Sequence, residues 1–365
     1  MSSRPAPRPD YVPALDGLRL VCCSFVVIGH AAWGPLSGRL ATFGVEVFFA
    51  LSGYLITSLL LRERALRGAI DLRAFYLRRT LRIFPVYYAA LAVAFGLTWA
   101  LGPWFTGPFR GPSDARFFGT TLASCVLFVS NWTDAPLPSP LEVLWSVCIE
   151  EQFYLLFPLL LAWRRRATSP VVVPAIIGLG LAWVCRTWLA SRGAESLYRN
   201  TLAHGDSLLL GAVLAQFTTG DGARARALIA NHAGKLEALS VAASVLLLLF
   251  RGDSASPFSY WATFLASAIC ATAIVAALAH GRGPLARTLA LRPLAWAGTL
   301  TYAGYVVHMY AVTAAFGVTN RVPLGPIATT VRVTLALALT LALAYVTHVL
   351  IERPALQLKR RLSLR

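Results

Sequence analysis

Charge is the scarcest property of this 365-residue sequence: only 13% of its residues are Asp, Glu, Lys or Arg, about half the ~25% of a soluble globular domain. With 57% hydrophobic residues and a mean hydropathy of +0.63, a soluble fold is excluded. The chain reads as an integral membrane protein of many helices. Lysine is nearly missing, occurring only at Lys235 and Lys359, and no function is placed on this preference for arginine. Cysteine is sparse too. Cys22, Cys23, Cys125, Cys148, Cys185 and Cys270 all fall in apolar segments, which suits small buried hydrophobes and excludes a disulfide framework or a zinc site. No repeat of 20 to 50 residues is present, and no cleavable signal peptide is expected. The first apolar segment is too long, lacks a small-residue cleavage site, and carries Arg19 and His30 inside it.

What is present is a series of apolar runs separated by short basic ones. Ten spans are expected, at residues 13–34, 42–61, 83–102, 142–163, 171–190, 204–219, 236–250, 260–280, 295–316 and 327–351. The sixth and seventh are short for a span of ~20 residues. Alternate loops (the N-terminus, 62–82, 164–166, 220–235, 281–292 and the tail) hold 23 of the 33 Lys and Arg. The positive-inside rule therefore puts both termini in the cytoplasm. The net charge of +17 follows from this topology, not from nucleic-acid binding. Residues 118–130 are apolar but too short to span, and are expected as a re-entrant or interfacial piece on the outer side, followed by a loop at Pro136, Pro138 and Pro140. The division expected is a cytoplasmic tail over 1–12, a membrane domain over 13–353 and a basic cytoplasmic tail over 354–365.

Four constellations carry chemistry. Arg19 and His30 are eleven residues apart on one helix; at ~100° and ~1.5 Å per residue they share a face and lie roughly 16 Å apart along the axis. A histidine brought near the bilayer midplane is a functional candidate, although Arg19 snorkelling and His30 bonding a neighbouring helix would also accommodate the pair. Ser146, Glu150 and Tyr154 are spaced i, i+4, i+8 in Trp145–Tyr154 and share a face. Adjacent Glu150 and Glu151 within a span are costly unless they meet cations, donors or water. In Gly44–Leu55, Glu46 is the unusual residue, and the Ser52–Gly53 step permits close helix approach. Arg79 and Arg82 are i, i+3 neighbours at the threshold of the third span; anchoring would explain them, but a guanidinium fork also binds phosphate bidentately. His308 is a second mid-span histidine. His280 and His348 lie near span ends, where water or headgroups satisfy them.

With these residues in place, the sequence resembles the acyltransferase-three family of integral-membrane O-acyltransferases over nearly its full length. The motifs are Leu15-Asp16-Gly17-Leu18-Arg19 and then His30, "GVEVFFALSGYLIT", "FYLRRTLRIFP", "LWSVCIEEQFYLLFP", "DSLLLGAVLA", "GTLTYAGYVVH" and a late "ERP", in the family's order. The resemblance implies an all-α fold of ten spans with both termini inside. It also implies transfer of an acyl group, usually acetyl, from cytoplasmic acyl-CoA to a hydroxyl of a carbohydrate or similar acceptor. Two departures stand out. Relatives often carry arginine two positions before the aspartate of the sixth span, whereas here His204 precedes Asp206, so the fixed positive charge expected there is missing from that position. Many relatives also carry a soluble hydrolase-like domain after the last span, so modification here is expected from the membrane domain alone or with a separate partner.

The mechanism expected has Arg79 and Arg82, with Arg19, holding the phosphates of acyl-CoA, a co-substrate and not a permanently bound cofactor. The pantetheine arm then reaches inward to His30, the general base on the acceptor hydroxyl. A transient acyl-imidazole stays open. Glu150 would orient His30 or bind the acceptor, and Glu46, Ser52, Tyr154 and His308 would seat the acceptor or stabilise the oxyanion. No metal is expected. The partners are acyl-CoA, a glycan or glycosylated small molecule, and the bilayer of a bacterial plasma membrane. A secondary transporter of a polar solute is the rival reading, since buried histidine and glutamate fit it equally well. Against it stand the lack of paired broken helices and the arginine fork.

Overall fold

The computed structural model describes residues 11–32, 34–101, 115–133, 137, 139–164, 170–191, 199–202, 204–219, 222–250, 257–321 and 327–363. Among these residues every regular element is a helix. They are α1 (Pro13–Ala31), α2 (Pro35–Arg67), α3 (Leu72–Leu101), α4 (Ala115–Val126), α5 (Trp145–Trp163), α6 (Val172–Ser191), α7 (Asp206–Thr218), α8 (Ala223–Asn231) and α9 (Ala233–Phe250). After these come α10 (Pro257–His280), α11 (Pro284–Leu289), α12 (Arg292–Thr299), α13 (Thr301–Thr319), α14 (Ala328–Thr347) and α15 (Arg353–Ser363). The local signals are ordinary: Pro35 opens α2, and Gly68 closes it in the left-handed region (φ 75°) with its N–H on Arg64 O.

Each of the ten expected segments contains helix, but the count of spans is coarser than expected. Among the described residues six helices are long and apolar enough to cross a membrane: α1, α2, α3, α5 with the 3-10 turn before it, α10 and α14 with its continuation. A seventh is added if α8 and α9, which meet at 75°, act as one span. The helices α6 and α7 are apolar but shorter. The expected ninth span is divided, since α12 stops at Thr299 and α13 starts at Thr301. The tenth runs through a π-helical turn, His348–Glu352, into α15. Residues 1–10, Arg165, Arg166, Pro136 and Pro138, on which part of the charge count and the outer loop rested, lie outside the described residues.

The segment around 118–130 is helix α4 followed by a sharp turn. At 12 residues it is ~18 Å long and cannot span. It ends at Phe128 in the left-handed region (φ 55°), which a side chain other than glycine adopts at a cost. Three aromatic residues of α3 hold it there. The Phe128 ring stacks 4.3 Å from Tyr87 and packs beside Phe84 and Tyr88. The hydroxyls of Tyr87 and Tyr88 donate to Cys125 O (2.9 Å) and Val126 O (3.0 Å). Next in the chain, Gln152 of α5 uses its whole amide. It donates to Phe128 O (2.7 Å) and Asn131 Oδ1 (2.9 Å), and it accepts from Trp132 Nε1 (3.1 Å) and Thr201 Oγ1 (2.5 Å).

Two features set the bundle's centre. First, α2 and α7 touch backbone to backbone. A Cβ on Gly53 would sit 2.0 Å from Leu208 O, and one on Gly211 would sit 2.2 Å from Ala50 O. Glycine at both positions lets the helices approach this closely. Second, charges meet in the interior between α2, α6 and α7. Arg186 of α6 donates to Asp206 Oδ2 at 2.7 Å, both side chains being buried. Glu46 of α2 accepts from Ser207 Oγ and lies 3.0 Å from His204 Nδ1. The His204 ring stacks on Trp145 (centroids 5.2 Å, 14°) with the edges of Phe49 and Phe264 against it. The positive charge missing from position 204 thus arrives from another helix, as Arg186.

Gly53→Val is therefore expected to drive α2 from α7 and abolish a monodisperse peak in detergent size-exclusion, whereas Gly96→Val, with nothing within 4 Å of its Cβ, should stay monodisperse. Arg186→Leu should cost about 3–5 kcal/mol by leaving Asp206 buried without its cation. Adding Asp206→Leu should restore most of the loss, read as thermal unfolding in detergent.

Candidate active site in the helical bundle

A cleft opens between α1, α2, α3, α5 and α13, with room inside it of about 130 Å³. It has a cationic part, formed by Arg19, Arg79 and Arg82, and a hydroxyl- and carboxylate-bearing part, formed by Ser52, Ser146, Glu150, Tyr154, Tyr302 and Tyr305. Phe48, Phe49, Val45 and Val147 supply apolar wall.

The three arginines are not equivalent. Arg19 pairs with Asp16 one turn earlier on α1. Arg82 pairs with Glu352 in the π turn, and the second Glu352 oxygen takes His348 Nδ1 at 2.8 Å. Arg79 meets no carboxylate in ion-pair distance among the described residues; its guanidinium lies over the rings of Tyr154 (5.5 Å) and Phe75 (5.9 Å). Instead of a matched fork, the structure presents one uncommitted guanidinium beside two that are already neutralised. His348 is satisfied by Glu352, not by headgroups, and His280 by the Tyr54 hydroxyl at 3.1 Å.

Ser146, Glu150 and Tyr154 all line the cleft, as helical periodicity on α5 requires. Opposite them on α2, Ser52 Oγ donates to Glu150 Oε1 at 2.5 Å, and the Tyr154 hydroxyl donates to Ser52 Oγ at 2.9 Å. Glu150 therefore does not orient His30; its partner is Ser52. Deeper in the wall, the hydroxyls of Ser146 and Tyr305 are 2.5 Å apart, and both contact Val143 O at 3.2 Å.

His30 and His308 form a pair, with ring centroids 5.1 Å apart. Neither lines the cleft. Tyr305 does, and its ring is 5.5 Å from His308, so the histidines stand one ring beyond the cleft wall. Each imidazole is oriented by its own helix: His30 Nδ1 contacts Val26 O (2.8 Å) and His308 Nδ1 contacts Tyr305 O (2.6 Å). A carbonyl only accepts, so Nδ1 must carry the proton and Nε2 of the neutral ring keeps its lone pair. His308 Nε2 is buried with no hydrogen-bond partner among the described residues.

Glu46 is not part of the cleft. It belongs to the buried charge cluster with His204 and Ser207, a correction to its expected role at the acceptor. Its place in a span signalled cost, but the cost is met by a partner and not by substrate. The pairings Arg186–Asp206, Arg82–Glu352 and Ser146–Tyr305 were not foreseen from sequence, because each joins two different elements and no spacing rule connects them. Among the described residues no cluster of His, Cys, Asp and Glu is arranged to hold a metal, and all six cysteines are free thiols.

The family model described as an acyltransferase domain matches residues 12–349. The peptidoglycan O-acetyltransferase OatA of Listeria monocytogenes is 30% identical over 324 residues, 83% of this chain and 50% of that protein. The O-acetyltransferase OatA of Staphylococcus aureus is 30% identical over 318 residues, covering 82% of this chain and 50% of its own length. The chain spans about half the length of these relatives. No solved structure matches. The chain belongs to the acyltransferase-three family of multi-pass membrane proteins.

Proposed function

We propose that this protein is a membrane O-acyltransferase that moves an acyl group, acetyl in the first instance, from cytoplasmic acyl-CoA to a hydroxyl of a carbohydrate acceptor. The names of its relatives make a peptidoglycan sugar the first acceptor to try. The observation that carries the reading is the composition of one cleft, with guanidinium groups in one part and a Ser-Glu-Tyr cluster in another. Phosphates need fixed cations with directed donors, and guanidinium supplies both. An acyl transfer needs a proton acceptor beside the reacting oxygen and donors for the oxyanion.

In this reading Arg79 holds a donor phosphate directly. Arg82 joins it by exchanging Glu352 for phosphate, and Arg19 stands along the path of the pantetheine arm. His30, with its proton fixed on Nδ1 by Val26 O, presents Nε2 as the base for the acceptor hydroxyl. His308 packs beside it and keeps a second unprotonated nitrogen at the same place. Both termini and the basic loops face the cytoplasm. This agrees with the way those loops gather: Arg78 lies 3.6 Å from Glu63, Arg82 pairs with Glu352, and Gly17 packs against Leu289.

Incubating purified protein with labelled acyl-CoA and glycan should give transfer of label together with release of CoA thiol; solute uptake without either would favour a carrier. His30→Ala should lower turnover by about 10²- to 10⁴-fold, the usual worth of a general base, while membrane insertion and melting temperature are retained. Arg79→Ala should raise the KM for acyl-CoA about 10- to 100-fold, as expected for a charge-assisted bond of roughly 1.5–3 kcal/mol, with kcat little changed. An unchanged KM would return Arg79 to a packing role against Tyr154.

A further inference from the structure

We infer that Ser52 carries the acyl group between donor and acceptor as an ester on its Oγ, with Glu150 as the base that frees it. This deepens the acyltransferase reading and rests on it. Three observations converge on Ser52.

The first is the direction of its hydrogen bond. A serine or threonine inside a membrane helix ordinarily satisfies itself on its own backbone one turn back, as Ser24 does on Leu20 O, Thr42 on Gly38 O and Ser244 on Ser240 O. Ser52 instead donates across the interface between α2 and α5 to the carboxylate of Glu150, at 2.5 Å. A hydroxyl bonded to a carboxylate has its proton acceptor in place, which is the arrangement of an activated oxygen nucleophile.

The second is what surrounds Oγ. The Tyr154 hydroxyl donates to it at 2.9 Å, and the Arg79 guanidinium lies 5.5 Å from the Tyr154 ring centroid. A hydroxyl donor thus touches Oγ itself, and a cation lies over the ring that carries that hydroxyl. The residue after Ser52 is Gly53, pressed against Leu208 O, so the backbone bearing the nucleophile is fixed by packing.

The third is distance from the histidines. Ser52 shares the cleft with Arg19, Arg79 and Arg82, whereas His30 and His308 stand beyond Tyr305. A thioester whose phosphates are held by these arginines therefore shares its cleft with Ser52 and Glu150 and not with the histidines.

The chemistry balances in two halves. Ser52 Oγ bonds to the thioester carbonyl carbon and its proton passes to Glu150. The carbon–sulfur bond breaks, and the departing thiolate takes that proton to leave as CoA thiol. In the second half the acceptor hydroxyl oxygen attacks the Ser52 ester and gives its proton to Glu150, again a carboxylate and already beside Oγ. The bond to Ser52 Oγ breaks, and the proton passes from Glu150 back to Ser52, so that Glu150 does what a one-step transfer would ask of His30.

The test uses the full chain in lipid nanodiscs with isotopically labelled acetyl-CoA and no acceptor, quenched rapidly and read by peptide mass spectrometry, with CoA release and transfer to glycan followed in parallel. The expected result is label on the peptide containing Ser52, no more than one equivalent of CoA released, and parallel lines in double-reciprocal plots when both substrates are varied. His30→Ala should still take the label on Ser52, and Ser52→Ala should lose both label and turnover. Ser52→Cys should carry a thioester that neutral hydroxylamine cleaves, which keeps the test alive if the alanine variant fails to fold. Wild-type transfer with label on a histidine, or with intersecting kinetics and no label on Ser52, overturns the carrier and leaves the acyltransferase standing. A wild-type protein that neither releases CoA nor transfers label overturns both.

Discussion

A carboxylate inside a membrane bundle must meet a cation or a donor, and in this protein the meeting partner comes, again and again, from a different helix. Asp206 at the start of α7 meets Arg186 of α6. Glu46 of α2 meets His204 and Ser207. Glu352 meets Arg82 of α3, and Glu150 of α5 meets Ser52 of α2. Hydrocarbon offers helices no hydrophobic reason to associate, so such polar contacts, with close packing, supply much of the specificity that apolar burial supplies in water. They are directional, and each fixes the rotation of one helix against another. The cleft is a consequence: with α2 held against α7 by Gly53 and Gly211, and against α5 by Ser52 and Glu150, the intervening face of α2 has its position set to within a side chain.

The four contacts differ in what they leave over. Arg186 and Asp206 are both deeply buried and consume one another, so that pair is a structural tie whose cost appears only when one partner is removed. The Arg82–Glu352 pair is different, because Arg82 also borders the cleft and Glu352 lies in a π turn with a second partner, His348. Such turns depart from the regular helical ladder and recur at functional sites. Ser52–Glu150 is different again: it faces the cleft and involves a hydroxyl able to react.

Much of this was legible in the sequence where one helix suffices to tell it. The shared face of Ser146, Glu150 and Tyr154 follows from periodicity alone, and the inward placement of Arg19 and Arg79 follows from their position at the basic ends of apolar runs. The Ser52–Gly53 step signalled close approach, and the structure supplies its partner as the Leu208 backbone of α7. What stayed illegible was pairing between helices. Glu46 looked like a substrate ligand because its cost was visible and its partners were not; His204 looked like a lost charge because Arg186, on α6, could not be connected to it. The division at Leu300 between α12 and α13 was hidden for a related reason: both sides are apolar, and periodicity does not register a break between two runs of the same character.

The same limit governs the path from the arginines to the histidines. Arg19 and His30 lie on one helix, and a ruler laid along that helix connects donor phosphates to base in a single reach. The tertiary structure puts Tyr305 between the cleft and the histidine pair, so axial distance along α1 is not the path a substrate would take. Ser52 is a hydroxyl of the cleft bonded to a carboxylate, and the histidine pair lies behind the Tyr305 ring. Phe48, packed edge-on against Tyr305 at 5.8 Å and lining the cleft, adds a second ring to that partition.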